Sequence, residues 1–494
     1  MRRFITRILS LLSLIILLGS CNRETTIIYN IGVKDKASCT YNDQNVKITF
    51  RLQEEVLADD AMPTVTISND EWAEVVETTR ESVTIHVSAN NGSNRSLIVT
   101  IKASGHQKAN VTLLQYGTPP AEANHTLMYL FLGTSLNRYF KANLNDAATA
   151  IETGILGNNN RVVFFRQESA AKGYIGELCY IGNECVEQRL EEINIPNSCV
   201  TPELVSQYIA SMAEYAPAKR YGLICAGHGQ AWLPCEVVNN EKDISKSGVG
   251  DHPWVQAAGA ETTRAFGEKS AQLNITELAS AIEGSGVELD YLLFDACFMS
   301  NIETVYDLRN SANYIIASPC EIMGKGFPYE RTLPHLFADE GNTTDYVKAA
   351  ESYYLYYRDE YTNSSRCGSI AVYDCAEMMV LAEATKSVVA SATNDYSTSK
   401  LQTYEGKKVH EFYDFGQWVN TIATDDRALA DFNNQLNRTV IAKYTLDSFY
   451  SAYGTYGTYK IDTNVYSGVT TSAPSEAYPN AWHKTNWYNY VWGE

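Results

Sequence analysis

The sequence predicts an α/β protein in three stretches: a small all-β sandwich, an α/β/α sandwich with a mainly parallel sheet, and a partly helical C-terminal region. Three observations carry this expectation. From about residue 31 to residue 117, short runs alternate apolar and polar residues, as in Val46-Lys47-Ile48-Thr49-Phe50, Val83-Thr84-Ile85-His86-Val87 and Leu97-Ile98-Val99-Thr100-Ile101. Alternation is the period of a half-buried strand, and turn clusters such as Asn90-Asn91-Gly92-Ser93-Asn94 separate the runs. Beyond residue 126 the runs become continuously apolar: Leu127 to Leu132, Val162 to Phe165, Leu223 to Ala226, Leu292 to Phe294 and Tyr314 to Ala317. Continuous apolar strands are buried on both faces, as parallel strands are. Helical stretches alternate with them, over Pro202 to Tyr215, Ile275 to Glu283 and Asn301 to Asn310, and βα alternation gives a layered sandwich with right-handed crossovers.

The elements divide the chain into 1–20, 21–118, 119–125, 126–375 and 376–494. The first segment begins Met1-Arg2-Arg3 and continues with an apolar run from Ile8 to Leu18, the proportions of a signal peptide rather than a membrane span. It ends Leu18-Gly19-Ser20-Cys21, which resembles the lipobox of bacterial lipoproteins. That resemblance implies cleavage before Cys21, acylation of its sulfur, and anchoring in the outer membrane of a Gram-negative bacterium, on the cell-surface or periplasmic side. Thr118-Pro119-Pro120 marks a linker, and Thr201-Pro202-Glu203 a helix start with proline at the first helical position. Gly368 to Tyr373 reads as the last strand, followed by mainly helical sequence to about Leu446 and then a tyrosine- and glycine-rich end.

A formal net charge of −19 repels nucleic acid and argues against it as a partner. Of the 11 cysteines, the ten after Cys21 lie in an oxidising compartment if the leader is read correctly, which predicts some disulfides of open connectivity. No pair has C-x-x-C spacing, so no structural zinc and no metal ligands are expected.

Two strand ends carry the candidate chemistry. One runs Ile224-Cys225-Ala226-Gly227-His228-Gly229, the other Leu293-Phe294-Asp295-Ala296-Cys297-Phe298-Met299. Ligands bind beyond the carboxyl ends of strands in open α/β sheets, so His228 and Cys297 can meet in one crevice. The second run reads as a strand leading to a cysteine that opens a helix, where the dipole favours a thiolate. An imidazole beside it can take the thiol proton and return it to a leaving amine. Glycines flanking the histidine let backbone approach a substrate.

On these residues the chain resembles the clostripain family of caspase-like cysteine peptidases. The match continues through Asn301-Ile302-Glu303-Thr304-Val305-Tyr306, Ala317-Ser318 and Gly326-Phe327-Pro328-Tyr329. The resemblance implies a caspase-like fold, a His228–Cys297 dyad, an oxyanion hole of the Gly229 and Cys297 N–H groups, and protein or peptide substrates cut after Arg or Lys. It implies Asp295 in the primary specificity pocket, a structural aspartate being the alternative, with Glu321 as a second acid; Lys325 in the same loop departs from the family and is a charge able to neutralise the pocket. It further implies a zymogen that cuts itself after a basic residue between His228 and Cys297; Arg264-Ala265 is the first candidate bond and Lys246-Ser247 the second. No cofactor is required by this reading. Calcium enters through the family alone, and no EF-hand-like run is present. Where relatives often carry Asp-Asn, this chain has Gly133-Thr134-Ser135-Leu136.

The N-terminal stretch resembles the BACON domain family through its strand pattern and Trp72, which implies a stalk with glycan binding as a minority role. A glutamine amidotransferase is disfavoured, because Cys297 lacks the Gly-x-Cys-x-Gly elbow and His228 the His-x-Glu pattern. The remaining rival is a surface protein with a weak or inactive peptidase fold that engages glycans or peptides.

Overall fold

The computed structural model describes residues 28–493 apart from 40, 54–60, 93–94, 116, 118–121, 157–159, 182–183, 239–253, 255, 266, 338–343 and 363–365. The leader, Cys21, the Thr118-Pro119-Pro120 linker and the Lys246-Ser247 bond therefore lie outside the described residues. The chain divides into two compact units, Met1–Thr118 and Pro119–Glu494.

The first unit holds a four-stranded sheet ordered Lys36–Cys39, Ala109–Gln115, Arg95–Lys102, Thr64–Ile67 and a three-stranded one ordered Gln44–Thr49, Ser82–Val87, Ala73–Thr78. Inward residues of both sheets share one core, including Ile48, Val83, Ile85, Leu97, Val99, Ile101, Val111 and Leu113. The alternation seen in the sequence is that of a sheet with one wet face. Trp72 packs under the guanidinium of Arg95, 4.3 Å from its ring centre.

The second unit is built on a nine-stranded sheet. Its strands are β1 His125–Phe131, β2 Asn160–Ser169, β3 Lys172–Ile181, β4 Glu184–Asn194, β5 Tyr221–Ala226, β6 Leu289–Asp295, β7 Tyr314–Ala317, β8 Ile370–Asp374 and β9 Val440–Tyr444, in the order β4-β3-β2-β1-β5-β6-β7-β8-β9. The central run β2-β1-β5-β6-β7 is parallel throughout, and both flanks are antiparallel. All seven residues of β1 are buried, as a central strand covered on both faces requires.

Two sets of helices, in mutual contact within each set, cover the sheet. One contains α1 Asn137–Glu152, α5 Tyr329–Leu336 and α6 Tyr346–Asp359; the other contains α2 Pro202–Tyr215, α3 Ile275–Gly284, α4 Ile302–Asp307, α7 Met378–Val389, α9 Asp426–Thr439 and α10 Asn486–Trp492 (α8, Phe415–Ile422, packs against α7 and α9). Thr201 caps α2 by accepting from the Leu204 N–H at 3.4 Å, as its sequence signal predicts.

Two expectations are corrected, and two strands were not foreseen. Residues 370–374 are not the last strand of the sheet: β9, Val440–Tyr444, pairs with them antiparallel and extends it. The unforeseen strands are β3 and β4; β4 carries no continuous apolar run and holds four glutamates and one arginine, the charged composition of a protected sheet edge. All ten described cysteines are free thiols, against the expectation of disulfides.

Candidate active site

Register aligns the site. Phe131, Ala226 and Asp295 sit level at the carboxyl ends of the adjacent parallel strands β1, β5 and β6. The loops leaving these strands, Leu132 to Leu136, Gly227 to Gln230 and Ala296 to Asn301, therefore emerge side by side at one rim. His228 and Cys297 lie on the second and third of these loops.

Gly229 is fixed against Cys297: a Cβ at Gly229 would lie 2.1 Å from the Cys297 carbonyl oxygen and 2.9 Å from its nitrogen. Only glycine allows the two backbones to lie in contact. Their N–H groups converge on one acceptor, the carbonyl oxygen of Arg264, with the Gly229 amide at 2.9 Å and the Cys297 amide at 3.0 Å. Donors from two chain segments aimed at one carbonyl are what a developing oxyanion needs.

The Arg264 side chain completes the picture. It is fully buried and paired with an equally buried Asp295, Nη1 to Oδ2 at 2.9 Å. Nη1 also donates to the Asp295 carbonyl at 3.2 Å, and Nη2 to Asn143 Oδ1 at 2.7 Å and the Gly324 carbonyl at 3.1 Å. Asp295 in turn accepts from the Tyr329 hydroxyl at 2.7 Å and the Phe327 amide at 3.3 Å. The pocket floor is Gly326, at φ 70°, where a Cβ would come within 2.4 Å of both the guanidinium and the carboxylate. Burial pushes the Asp295 carboxyl up, and Arg264, Tyr329 and Phe327 pull against it.

Around Arg264 the backbone runs as an added strand. Its N–H donates to the Ile322 carbonyl at 2.8 Å, Gly324 N–H donates to the Thr262 carbonyl at 2.7 Å, and Thr263 bridges Met323 antiparallel. On the other side of the bond, the Ala265 carbonyl accepts from His228 Nδ1 at 3.1 Å and from the Tyr453 hydroxyl at 2.9 Å. Gly267 presses on the imidazole so closely that a Cβ there would lie 2.5 Å from the ring. Glu268 then accepts from the Thr134 hydroxyl at 2.8 Å and from the Ser135 N–H.

The same segment contacts both Cys297 and His228. Cys297 is fully buried and its sulfur accepts from the Ile322 N–H at 3.0 Å. Burial, and then Glu321, push its thiol well above the ordinary range against that N–H and Arg264. The partly buried His228 ring is pushed down to about 4, chiefly by burial. A carbonyl can only accept, so the Nδ1 contact to Ala265 puts the proton on Nδ1 and leaves Nε2 facing the Ser135 hydroxyl at 2.9 Å.

Several residues differ from their expected places. Cys297 does not open a helix: α4 starts at Ile302 with Asn301 as its cap, and Cys297 sits in the preceding turn, where Phe298 has φ 62°. Thiolate stabilisation by a helix dipole does not apply. Glu321 is not beside the guanidinium; its carboxylate takes the Thr263 hydroxyl at 2.7 Å and the Ser451 hydroxyl at 2.6 Å. Lys325 is exposed, its ammonium 5.2 Å from the centre of the Tyr361 ring, so it does not neutralise Asp295. Ser135, Asn143, Glu268 and Tyr453 were not anticipated. Among the described residues no group of three or more His, Cys, Asp or Glu side chains could hold a metal ion.

The model of the Clostripain family matches residues 134–473. No curated protein matches the chain. Among solved structures, a secreted C11 cysteine protease from Bacteroides thetaiotaomicron, iotapain, is 32% identical with a TM-score of 0.65, covering 75% of this chain and 100% of that one. An inactive zymogen C11 protease from Parabacteroides distasonis is 27% identical with a TM-score of 0.61, covering 76% and 99%. Another secreted C11 cysteine protease from Bacteroides thetaiotaomicron, solved with an irreversible peptide inhibitor, shares the fold at 24% identity and a TM-score of 0.62, covering 75% and 99%. A family match over most of the chain, on a sheet whose strand ends gather a cysteine, a histidine and a pair of converging amides, places this protein in the clostripain family of C11 cysteine peptidases.

Proposed function

We propose that the chain is the latent form of an Arg-directed endopeptidase whose own Arg264-Ala265 bond occupies the active site as its first substrate. The observation that carries this reading is the double seating of Arg264: its carbonyl accepts from the Gly229 and Cys297 amides while its guanidinium pairs with Asp295. Cys297 Sγ attacks the Arg264 carbonyl carbon, and the two amides hold the oxygen as charge develops; such a donor is worth about 3 kcal/mol. His228 takes the thiol proton and passes it to the Ala265 nitrogen as the C–N bond breaks. Water then hydrolyses the thioester to free the Arg264 carboxylate. Asp295 at the end of a closed pocket selects a basic side chain, and the forked contacts to Asn143 and the Gly324 carbonyl suit Arg better than Lys.

We further read the protein as a lipoprotein anchored through Cys21. The sequence ending Leu18-Gly19-Ser20-Cys21 supports this, as do two relatives described as secreted. The test of the peptidase reading compares purified wild type with Cys297→Ala. Wild type yields two fragments, the second beginning at Ala265, and the variant stays whole. Identical intact bands from both, or a new terminus elsewhere, would overturn the assignment.

A further inference from the structure

The Glu321 carboxylate stands on the neighbour of the Arg264 side chain, not on Arg264 itself. Thr263 is buried, and its hydroxyl donates to Glu321 Oε2 at 2.7 Å. The other carboxylate oxygen is taken by the Ser451 hydroxyl at 2.6 Å, and the Ala452 N–H, 3.1 Å from each oxygen, is shared between them. Thus Oε2 has a single undivided donor, and that donor belongs to the segment lying in the site. Glu321 is itself buried, next to the loop that pairs with Thr262 to Arg264 through Ile322, Met323 and Gly324. Resting on the reading of Arg264 as a bound substrate residue, we propose that Glu321 is a specificity-determining residue that selects a hydroxyl-bearing side chain, Thr or Ser, immediately before the cleaved Arg.

The physical ground is the asymmetry of buried hydrogen bonds. Valine has the shape of threonine without the donor, so placing it here leaves Oε2 with only half of one N–H inside a dry site. A site built around a substrate hydroxyl rejects the analogue that lacks it far more strongly than a hydrophobic pocket rejects an extra methylene. Burial, with a smaller push from Glu405, raises the Glu321 carboxyl to about 7 against the donors from Ser451, Thr263 and Ala452; an occupant without a donor leaves that burial less opposed.

The experiment uses the processed enzyme and four fluorogenic peptides ending in Arg, identical except for Thr, Ser, Val or Ala before it. The expected result is kcat/KM for Thr and Ser at least about tenfold above Val, with the preference reduced in Glu321→Gln. The substrate comparison in wild type needs no variant to fold. Equal rates for Thr and Val, with the Ala peptide cleaved normally, would overturn the role of Glu321 and leave Arg selection intact. Failure to cleave any of the four would overturn the underlying peptidase reading and this proposal with it.

Discussion

Replacing Arg264 by Met should destabilise the intact chain through the charge it strands. Asp295 and Arg264 are both fully buried and 2.9 Å apart. Removing one partner of a buried pair costs about 3–5 kcal/mol, because the other remains desolvated and unpaired. For a unit of this size the unfolding entropy is roughly 0.8 kcal/mol per kelvin, so the melting temperature should fall by about 5 °C. The comparison belongs in a Cys297→Ala background, where neither protein can cut itself. Its pH dependence provides a second, independent check. Burial already raises the Asp295 carboxyl and Arg264 opposes it, so the variant raises it further. A group whose folded pKa exceeds its unfolded one contributes stability fully present below the unfolded value and lost as pH rises through the folded one. The deficit should therefore be large near about pH 8 and shrink towards about pH 5, where the stranded carboxyl takes a proton. Calorimetry at both values decides it. A shift under about 1 °C at the higher pH, or the same shift at both, would refute the buried pair.

The other predictions concern the two reacting side chains. Intact chain, held uncut by Arg264→Met, should alkylate at Cys297 at least about a hundredfold more slowly with iodoacetamide than processed enzyme, since burial keeps the thiol protonated; equal labelling by mass spectrometry would contradict the covered thiol. Ser135→Ala should lower kcat about tenfold with little change in KM, because the hydroxyl 2.9 Å from His228 Nε2 orients the ring without touching substrate. The acid limb of its pH–rate profile should move as well, and an unchanged profile would make Ser135 a bystander.

Much of the site could be read from the residues themselves. Continuous apolar runs place parallel strands, and chemistry belongs at their carboxyl ends, which put His228 and Cys297 on neighbouring loops before any coordinates. Arg264 comes forward through the family resemblance, which implies a cut after a basic residue in this interval, with Lys246 as the second candidate. What stayed hidden depends on contacts between distant segments. Asn143 lies on α1 and meets Arg264 across 121 positions, and an asparagine inside a helix carries no outward sign of that partner. Ser135 occupies a loop that departs from the family pattern, yet the register of β1 with β5 delivers it to His228. Glu321 reads from the sequence as a second acid of the pocket, but which residue it meets turns on the path of the loop through Ile322 to Gly324, which sequence spacing does not encode. The antiparallel strand β4 was missed because edge strands carry charge and lack the apolar run that marks a central one.

On the reading proposed above, latency follows from the same contacts that make Arg264 a good occupant. The segment is tied on both sides of the Arg264-Ala265 bond, by Asp295 and the paired amides before it and by His228, Tyr453 and the Thr134–Ser135 loop after it. The Ala265 carbonyl keeps the imidazole proton on Nδ1, the nitrogen facing the bond, so the first turnover requires that proton to move to Nε2. Ser135 sits there with a hydroxyl that can donate or accept, and so serves both tautomers without rearrangement. Once the bond is cut, the two ties no longer reinforce each other. The half carrying Glu268 is held by its own contacts alone, while the half carrying Arg264 remains a bound product with its guanidinium sealed against Asp295. Release of that arginine, rather than scission, is then the step that opens the site to other substrates. A weaker pocket would release it sooner, but would also bind the next arginine less well.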